Sequence, residues 1–249
     1  MCLIAIAIRQ HPEKPLIVAA NRDEFYRRPT EPSNWWKESP ILAGRDIEKG
    51  GTWMGISKSG RFCALTNYRD PGEQSAGRKS RGHIVRAFLE SHLDAPAFLE
   101  ELDREKNRYP GFNLVAGTQD ELYAYGSRSG EKAYLLPAGI HAVSNAFMNT
   151  PWPKTARVKK KMAGALNSRE ELFHMLGDRS AAADQALPHT GVPIEWERLL
   201  SPVFIESETY GTRSSTILEI NEGRSAVWTE RIFKPGKPAK EHTFSFQIN

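Results

Sequence analysis

Cysteine is nearly missing from the chain. Cys2 and Cys63 are the two in 249 residues, which leaves no disulfide framework and no metal cluster of CxxC type. Scarce cysteine predicts a reducing, cytoplasmic setting. Long apolar runs are missing as well. The opening MCLIAIAIRQ is apolar only as far as Ile8, has no basic segment before it and no small-residue cleavage site after it, and does not read as a signal peptide. No window approaches the ~20 apolar residues of a membrane-spanning helix. A large charge of one sign is also absent: 34 basic against 30 acidic residues leave a formal +4. The short runs RKSR (Arg78 to Arg81) and KKK (Lys159 to Lys161) come without any nucleic-acid-binding signature and read as solvated faces. Nucleic acid is therefore not an expected partner, whereas a small-molecule ligand or substrate is. The seven histidines show no HExxH or CxxCH spacing, so no metal site is expected and no cofactor is required. A single axial histidine for a loosely held haem is the one haem arrangement left open. The sequence does not fix an oligomeric state.

What is present is a core-forming composition, with 39% apolar and 10% aromatic residues, and a clear change of period along the chain. Leu3 to Ile8 and Leu16 to Ala20 are apolar runs split by the polar RQHPEKP, and Trp53 to Ser57 and Phe62 to Thr66 flank a KSG turn. Both pairs predict hairpins. Ile84, Val85, Phe88 and Leu89, then Phe98, Leu99 and Leu102, recur at helical spacing. Strands return at Phe112 to Ala116, Leu122 to Tyr125 and His141 to Ser144. A second helical block carries Val158, Met162 and Leu166, then Leu172, Phe173 and Leu176, and a short helix at Ile194 to Leu200. Ser214 to Ile220, Ser225 to Phe233 and Thr243 to Gln247 close the chain as strands. Strands at both ends with grouped helices between them predict an α+β protein of antiparallel sheets covered by helices. With no repeat and no long linker, one domain over 1–249 is expected.

Several residues could carry chemistry. If Met1 is removed, Cys2 gains an α-amine of reference pKa ~7.7 beside a thiol of ~8.5, and the amine can act as base to its own nucleophile. Alternatively, Cys2 is simply a small apolar residue opening a strand. If the strand from Leu16 pairs with the first one, the following Asn21, Arg22, Asp23 and Glu24 lie beside Cys2, with Asn21 and Asp23 on one face and Arg22 on the other. A carboxylate there could orient the amine; equally, the four residues could form an ordinary polar turn. Asn67 and Asn145 each sit where an apolar run meets a loop, and their amides could donate to an oxyanion. Arg213, beside a glycine, could meet an anionic ligand, and Trp35, Trp36 and Trp53 could line its apolar part.

The stretches MCLIAIAI, VAANRDEFYRRP, GGTWMGIS, ALTNYRDP, GFNLV, SNAFMNTPWPKT and YGTRSSTIL, in this order and nearly end to end, resemble the NRDE family, also called the Transport and Golgi organisation family. The resemblance implies a four-layer αββα sandwich of the N-terminal nucleophile (Ntn) hydrolase kind. It also implies kinship with choloylglycine hydrolases and penicillin V acylases, which cut linear amides with an N-terminal cysteine. By that resemblance Cys2, Asp23, Asn67 and Asn145 match the catalytic positions; the ligand-binding candidates read from the residues themselves are Asn21, Arg22, Glu24, Trp53 and Arg213. The acylases carry an arginine where this chain has Ala20, and Arg22 stands two residues further on. For the family, the implied functions are haem trafficking, with haem as cargo, and handling of acyl lipids such as acyl-coenzyme A. The expectation is a carrier of a hydrophobic acidic ligand, with an amidohydrolase using Cys2 as the alternative.

Overall fold

A computed structural model of the chain describes residues 2–73 and 77–249. Its first half opens with strands β1 (Cys2–Ile8), β2 (Leu16–Phe25), β3 (Thr30–Trp35), β4 (Ile41–Asp46), β5 (Met54–Ser57) and β6 (Phe62–Asn67). Helices α1 (Gly82–Glu90) and α2 (Ala95–Glu105) follow, then β7 (Phe112–Gly117), β8 (Leu122–Gly126), β9 (Tyr134–Leu135) and β10 (Gly139–Val143). Helices α3 (Pro153–Ala165), α4 (Arg169–Leu176) and α5 (Ile194–Leu199) precede β11 (Tyr210–Ile220), β12 (Ser225–Lys234) and β13 (Lys237–Gln247).

Two antiparallel sheets result. One has the order β10-β1-β2-β11-β12-β13 and the other runs β3-β4-β5-β6-β7-β8-β9. Side chains that alternate along β1 explain why it reads as one unbroken apolar run. Ile4, Ile6 and Ile8 point between the sheets, towards Leu42, Met54, Ile56 and Phe62. Leu3, Ala5 and Ala7 point the other way, under Val158, Met162 and Leu172 of α3 and α4. A strand buried on both faces shows no polar alternation, and its small alanines let the helices approach closely. On the far side Ile84, Val85 and Phe88 of α1 and Leu99 and Leu102 of α2 pack on Cys63, Leu65 and Leu114. The layers are thus helix, sheet, sheet, helix, the αββα sandwich. No helix among the described residues is long and apolar enough to cross a membrane.

Side-chain caps mark the starts of two helices. Asp94 accepts the Ala97 N–H at 2.8 Å and starts α2, and Ser168 accepts the Glu171 N–H at 3.2 Å and starts α4. Two departures from the sequence reading matter. The second strand does not stop at Ala20: β2 runs on to Phe25, because β1 and β11 both continue beside it, pairing Arg22 with Cys2 and Asp23 with Thr212. The turn reading of Asn21 to Glu24 is thereby replaced by ladder. Strands β3, β4 and β9 were not legible either. The polar, proline-containing β3 is an edge strand, where a missing N–H is tolerated.

Candidate ligand-binding and catalytic site

The apolar layer between the sheets gives way, beyond Ala20 and Ile4, to a cavity of about 600 Å³. Cys2, Arg22, Asp23, Glu24, Trp53, Asn67 and Arg213 all line it, so the sequence brings these seven candidates together from four strands and a loop. Its remaining wall comes from β3, β4, the chain entering α1, and β12, with Arg81, Gly82, Glu230, Ile232 and Phe233 among the contributors. Gly51 explains how that wall closes. A side chain at Gly51 would meet the Gly82 carbonyl carbon at 2.6 Å, so only glycine lets the start of α1 lie against the loop before β5.

Cys2 opens β1 directly opposite Arg22. Position 20 pairs instead with Ile4, one pleat deeper, so the arginine of this chain and not its alanine is the cross-strand neighbour of the thiol. Burial pushes the Cys2 thiol up to about 11, and the charge of Asp23 adds to the effect; Arg22 and a bond from the Asp23 backbone N–H oppose it. At neutral pH the group is a thiol, and attack by it needs a base. The Asp23 carboxyl is 1% exposed, and burial raises its pKa. Lys154 opposes that rise most strongly, followed among side chains by Thr212, whose hydroxyl donates to Oδ1 at 2.8 Å.

The asparagines divide. Asn67 lines the cavity, and its backbone carbonyl accepts from Asn145 Nδ2 at 2.9 Å. Asn145 lies behind it, 1% exposed, with Oδ1 accepting from Ser144, whose hydroxyl is also 3.1 Å from the Cys2 carbonyl. Asn21 faces away from the cavity. Its Nδ2 donates to the Leu176 and Val203 carbonyls at 2.9 Å each, and its Oδ1 accepts from Ser215 at 2.6 Å, so the amide fastens helix α4 and the loop before β11 to the sheet. A ligand-facing Asn21 is corrected on that ground. Trp35 packs edge-on against Phe246, and Trp36 donates to the Ala43 carbonyl, so neither reaches the cavity wall.

Charge on the wall is unevenly satisfied. Arg28 is paired with Asp46, Arg45 with Glu38 and Arg78 with Glu73. Among the described residues, Arg22, Lys79, Arg81 and Arg213 have no carboxylate within ion-pair distance. Arg81 donates to the Gly111 carbonyl, and Arg213 to those of Phe25 and Arg28, which aims both guanidinium groups without neutralising them. The first turn of α1, which carries no acid and no side-chain cap, opens on the same space. Trp53, Leu65, Pro110, Ile232 and Phe233 supply apolar surface. His83 is on the wall, with Nε2 2.7 Å from the Lys49 carbonyl. The described residues contain no cluster of three or more histidine, cysteine or acidic side chains able to hold a metal.

Sequence reasoning missed three residues. Glu230 lies on the cavity wall, accepts the Ser33 N–H at 2.7 Å across the sheets and is raised by burial. Its signal is the shared face of Trp228, Glu230 and Ile232. Arg69, stacked on Trp152, pairs with Glu197 at 2.7 Å. Lys154 is 2% exposed in the first turn of α3, and a cation in that turn opposes the helix dipole. That opposition was readable in PWPK.

Taken together, two helix-covered antiparallel sheets, with a buried cysteine opening the first strand and a cavity between them, have the αββα fold of the Ntn hydrolases. Solved structures agree on the fold. A C2A mutant of conjugated bile acid hydrolase from Clostridium perfringens superposes with a TM-score of 0.50 at 9% identity, covering 100% of this chain and 97% of that one. An ortholog of N-acylethanolamine-hydrolyzing acid amidase from Caenorhabditis elegans gives 0.52 at 9% identity, covering 88% and 92%. Within that class the chain belongs to the Transport and Golgi organisation 2 family, whose family model matches residues 1–235. The Transport and Golgi organization 2 homolog of Mus musculus is 33% identical across 100% of this chain and 99% of its own length.

Proposed function

We propose that the chain binds an amphipathic organic acid in the cavity beside Cys2, with haem or an acyl-coenzyme A as the ligand. The observation that carries this reading is the set of Arg22, Lys79, Arg81 and Arg213, cations with no carboxylate partner among the described residues, around a space of about 600 Å³ that also offers Trp53, Ile232 and Phe233. Such cations favour a carboxylate or phosphate, and the apolar wall favours a hydrophobic body. The structural neighbours are named for conjugated bile acids and N-acylethanolamines, both amphipathic, which supports the amphipathic part of the reading. Tryptophan fluorescence should fall saturably when haemin or palmitoyl-coenzyme A is added, and Arg22→Ala should weaken binding about tenfold. Pure protein that binds neither compound overturns the reading.

A second reading rests on Cys2, Asp23 and Asn67 lining one cavity: hydrolysis of an amide by the Cys2 thiol, with Asn67 as an oxyanion donor and the α-amine of a processed Cys2 as base. Intact mass spectrometry separates the two. An acyl adduct on Cys2 supports hydrolysis, and protein from its native host that keeps Met1 removes the α-amine mechanism.

A further inference from the structure

Lys154 is a buried cation that neither reading uses. Its ammonium nitrogen is enclosed and has no hydrogen-bond partner among the described residues, although a lysine carries three donors. Surface lysines avoid this by burying the stem and extending the ammonium into water. Here the side chain starts from the first turn of α3, immediately after Pro153, where the helix dipole disfavours positive charge. Three adverse conditions on one residue, burial, missing acceptors and the wrong helix end, mark a group held for its charge.

The surrounding groups identify what that charge serves. Arg69, in the loop after β6, is a second cation close enough to oppose it. Glu197 of α5 attracts it less than Asp23 does, and its own oxygens accept from Arg69 at 2.7 Å and from the Thr190 backbone and hydroxyl. Cys2, opening β1, would stabilise it as a thiolate. The strongest attraction comes from Asp23 at the cavity end of β2, and the effect is mutual, since Lys154 is the strongest influence holding the Asp23 pKa down. Tyr210 of β11 adds a buried hydroxyl near Asp23, itself pushed up by burial.

We propose that Lys154 is a positioning residue of the cavity: buried with Asp23 in the layer where α3 and α4 cover the reverse face of β1 and β2, it is the counter-ion that keeps Asp23 ionised beside Cys2. The proposal rests on placing the chemical centre at Cys2 and Asp23, as the second reading does. Burial lowers the Lys154 ammonium to about 8, and the attraction of Asp23 opposes that fall. Lys154 does not line the cavity and acts only through Asp23.

The test follows both partners by NMR in the full chain without ligand, with ¹³C-labelled aspartate and lysine, from about pH 4 to about pH 11. Lys154 should titrate well below the ~10.4 of a free lysine, and Asp23→Asn should move its midpoint down by a further ~1 unit or more. Lys154→Met should raise the Asp23 midpoint by about 1 unit, whereas Lys154→Arg should leave it in place. A Lys154 midpoint near the free value, or one that Asp23→Asn does not move, overturns the proposal. If Lys154→Met does not fold, the Asp23→Asn and Lys154→Arg arms decide. No ligand or substrate enters the measurement, so the titration tests Lys154 even in a chain that neither binds haemin nor forms an acyl adduct.

Discussion

Along β2 the residues turned towards the second sheet are Leu16, Val18 and Ala20 at one end, and Arg22 and Glu24 at the other. The strand has the same two neighbours throughout, β1 and β11, and nearly the same ladder. Yet the first end seals a dry layer and the second borders a cavity. The difference lies in what the side chains can tolerate. Leucine and valine gain by leaving water and draw the sheets together, whereas an arginine and a glutamate cannot enter such a layer without partners and keep the sheets apart. The reverse face of β2 makes the same change with a different result. Ile17 and Ala19 pack under the helices, and Asn21 and Asp23 continue there because each finds hydrogen bonds, Asn21 to Leu176 and Val203 and Asp23, which at the end of the strand also borders the cavity, to Thr212. On the reverse face polarity is absorbed by hydrogen bonds and no space opens.

Four substitutions or titrations press on that contrast. Phe62→Ala, in the dry layer, should cost ~3–5 kcal/mol in urea unfolding, and a loss under about 1 kcal/mol would mean that the layer is not packed as described. Asn21→Ala leaves two carbonyls and the Ser215 hydroxyl without a partner and should cost ~2–3 kcal/mol, more than removing a cavity-lining cation. The two thiols should separate sharply in native protein. Cys63, wholly buried in the layer under α1 and raised even further than Cys2, should resist iodoacetamide until the protein unfolds. Cys2 should react slowly at neutral pH and speed up roughly tenfold per unit as the pH rises towards about 11. The sign for stability follows. A thiol raised in the folded state and near 8.5 when unfolded supports folding below ~8.5 and loses that support as the pH climbs towards the folded value. Equal labelling of Cys2 and Cys63 would erase the distinction between cavity and core. Arg22→Ala should change stability least, by about 0.5 kcal/mol or less, while weakening ligand binding.

Much of the sandwich was legible in the sequence. The runs of β1, β6, β7, β8 and β11, and the helical spacing in α1 to α4, follow from burial and period, and the motif order indicated the family. The cavity was half legible. Cys2, Asp23, Asn67 and Arg213 announced themselves as reactive, polar or charged residues at the ends of apolar runs. Asn21 carried the same signal and does something else, because side-chain alternation assigns faces without saying which face holds the cavity. Lys154 and Glu230 gave faint signals, since their meaning depends on elements far away in the chain.

By itself, then, the sequence determined the apolar strands and the amphipathic helices, that the strands pack on both faces, and that polar groups gather near the first cysteine. Only the tertiary structure decided that β2 runs through Asn21 to Glu24, that Arg22 stands across from Cys2, and that Lys154 answers Asp23. The physical reason is that periodicity records how much of each face is buried, a local property. Which charge meets which depends on the register of β1 and β11 against β2 and on a helix that returns well over a hundred residues later.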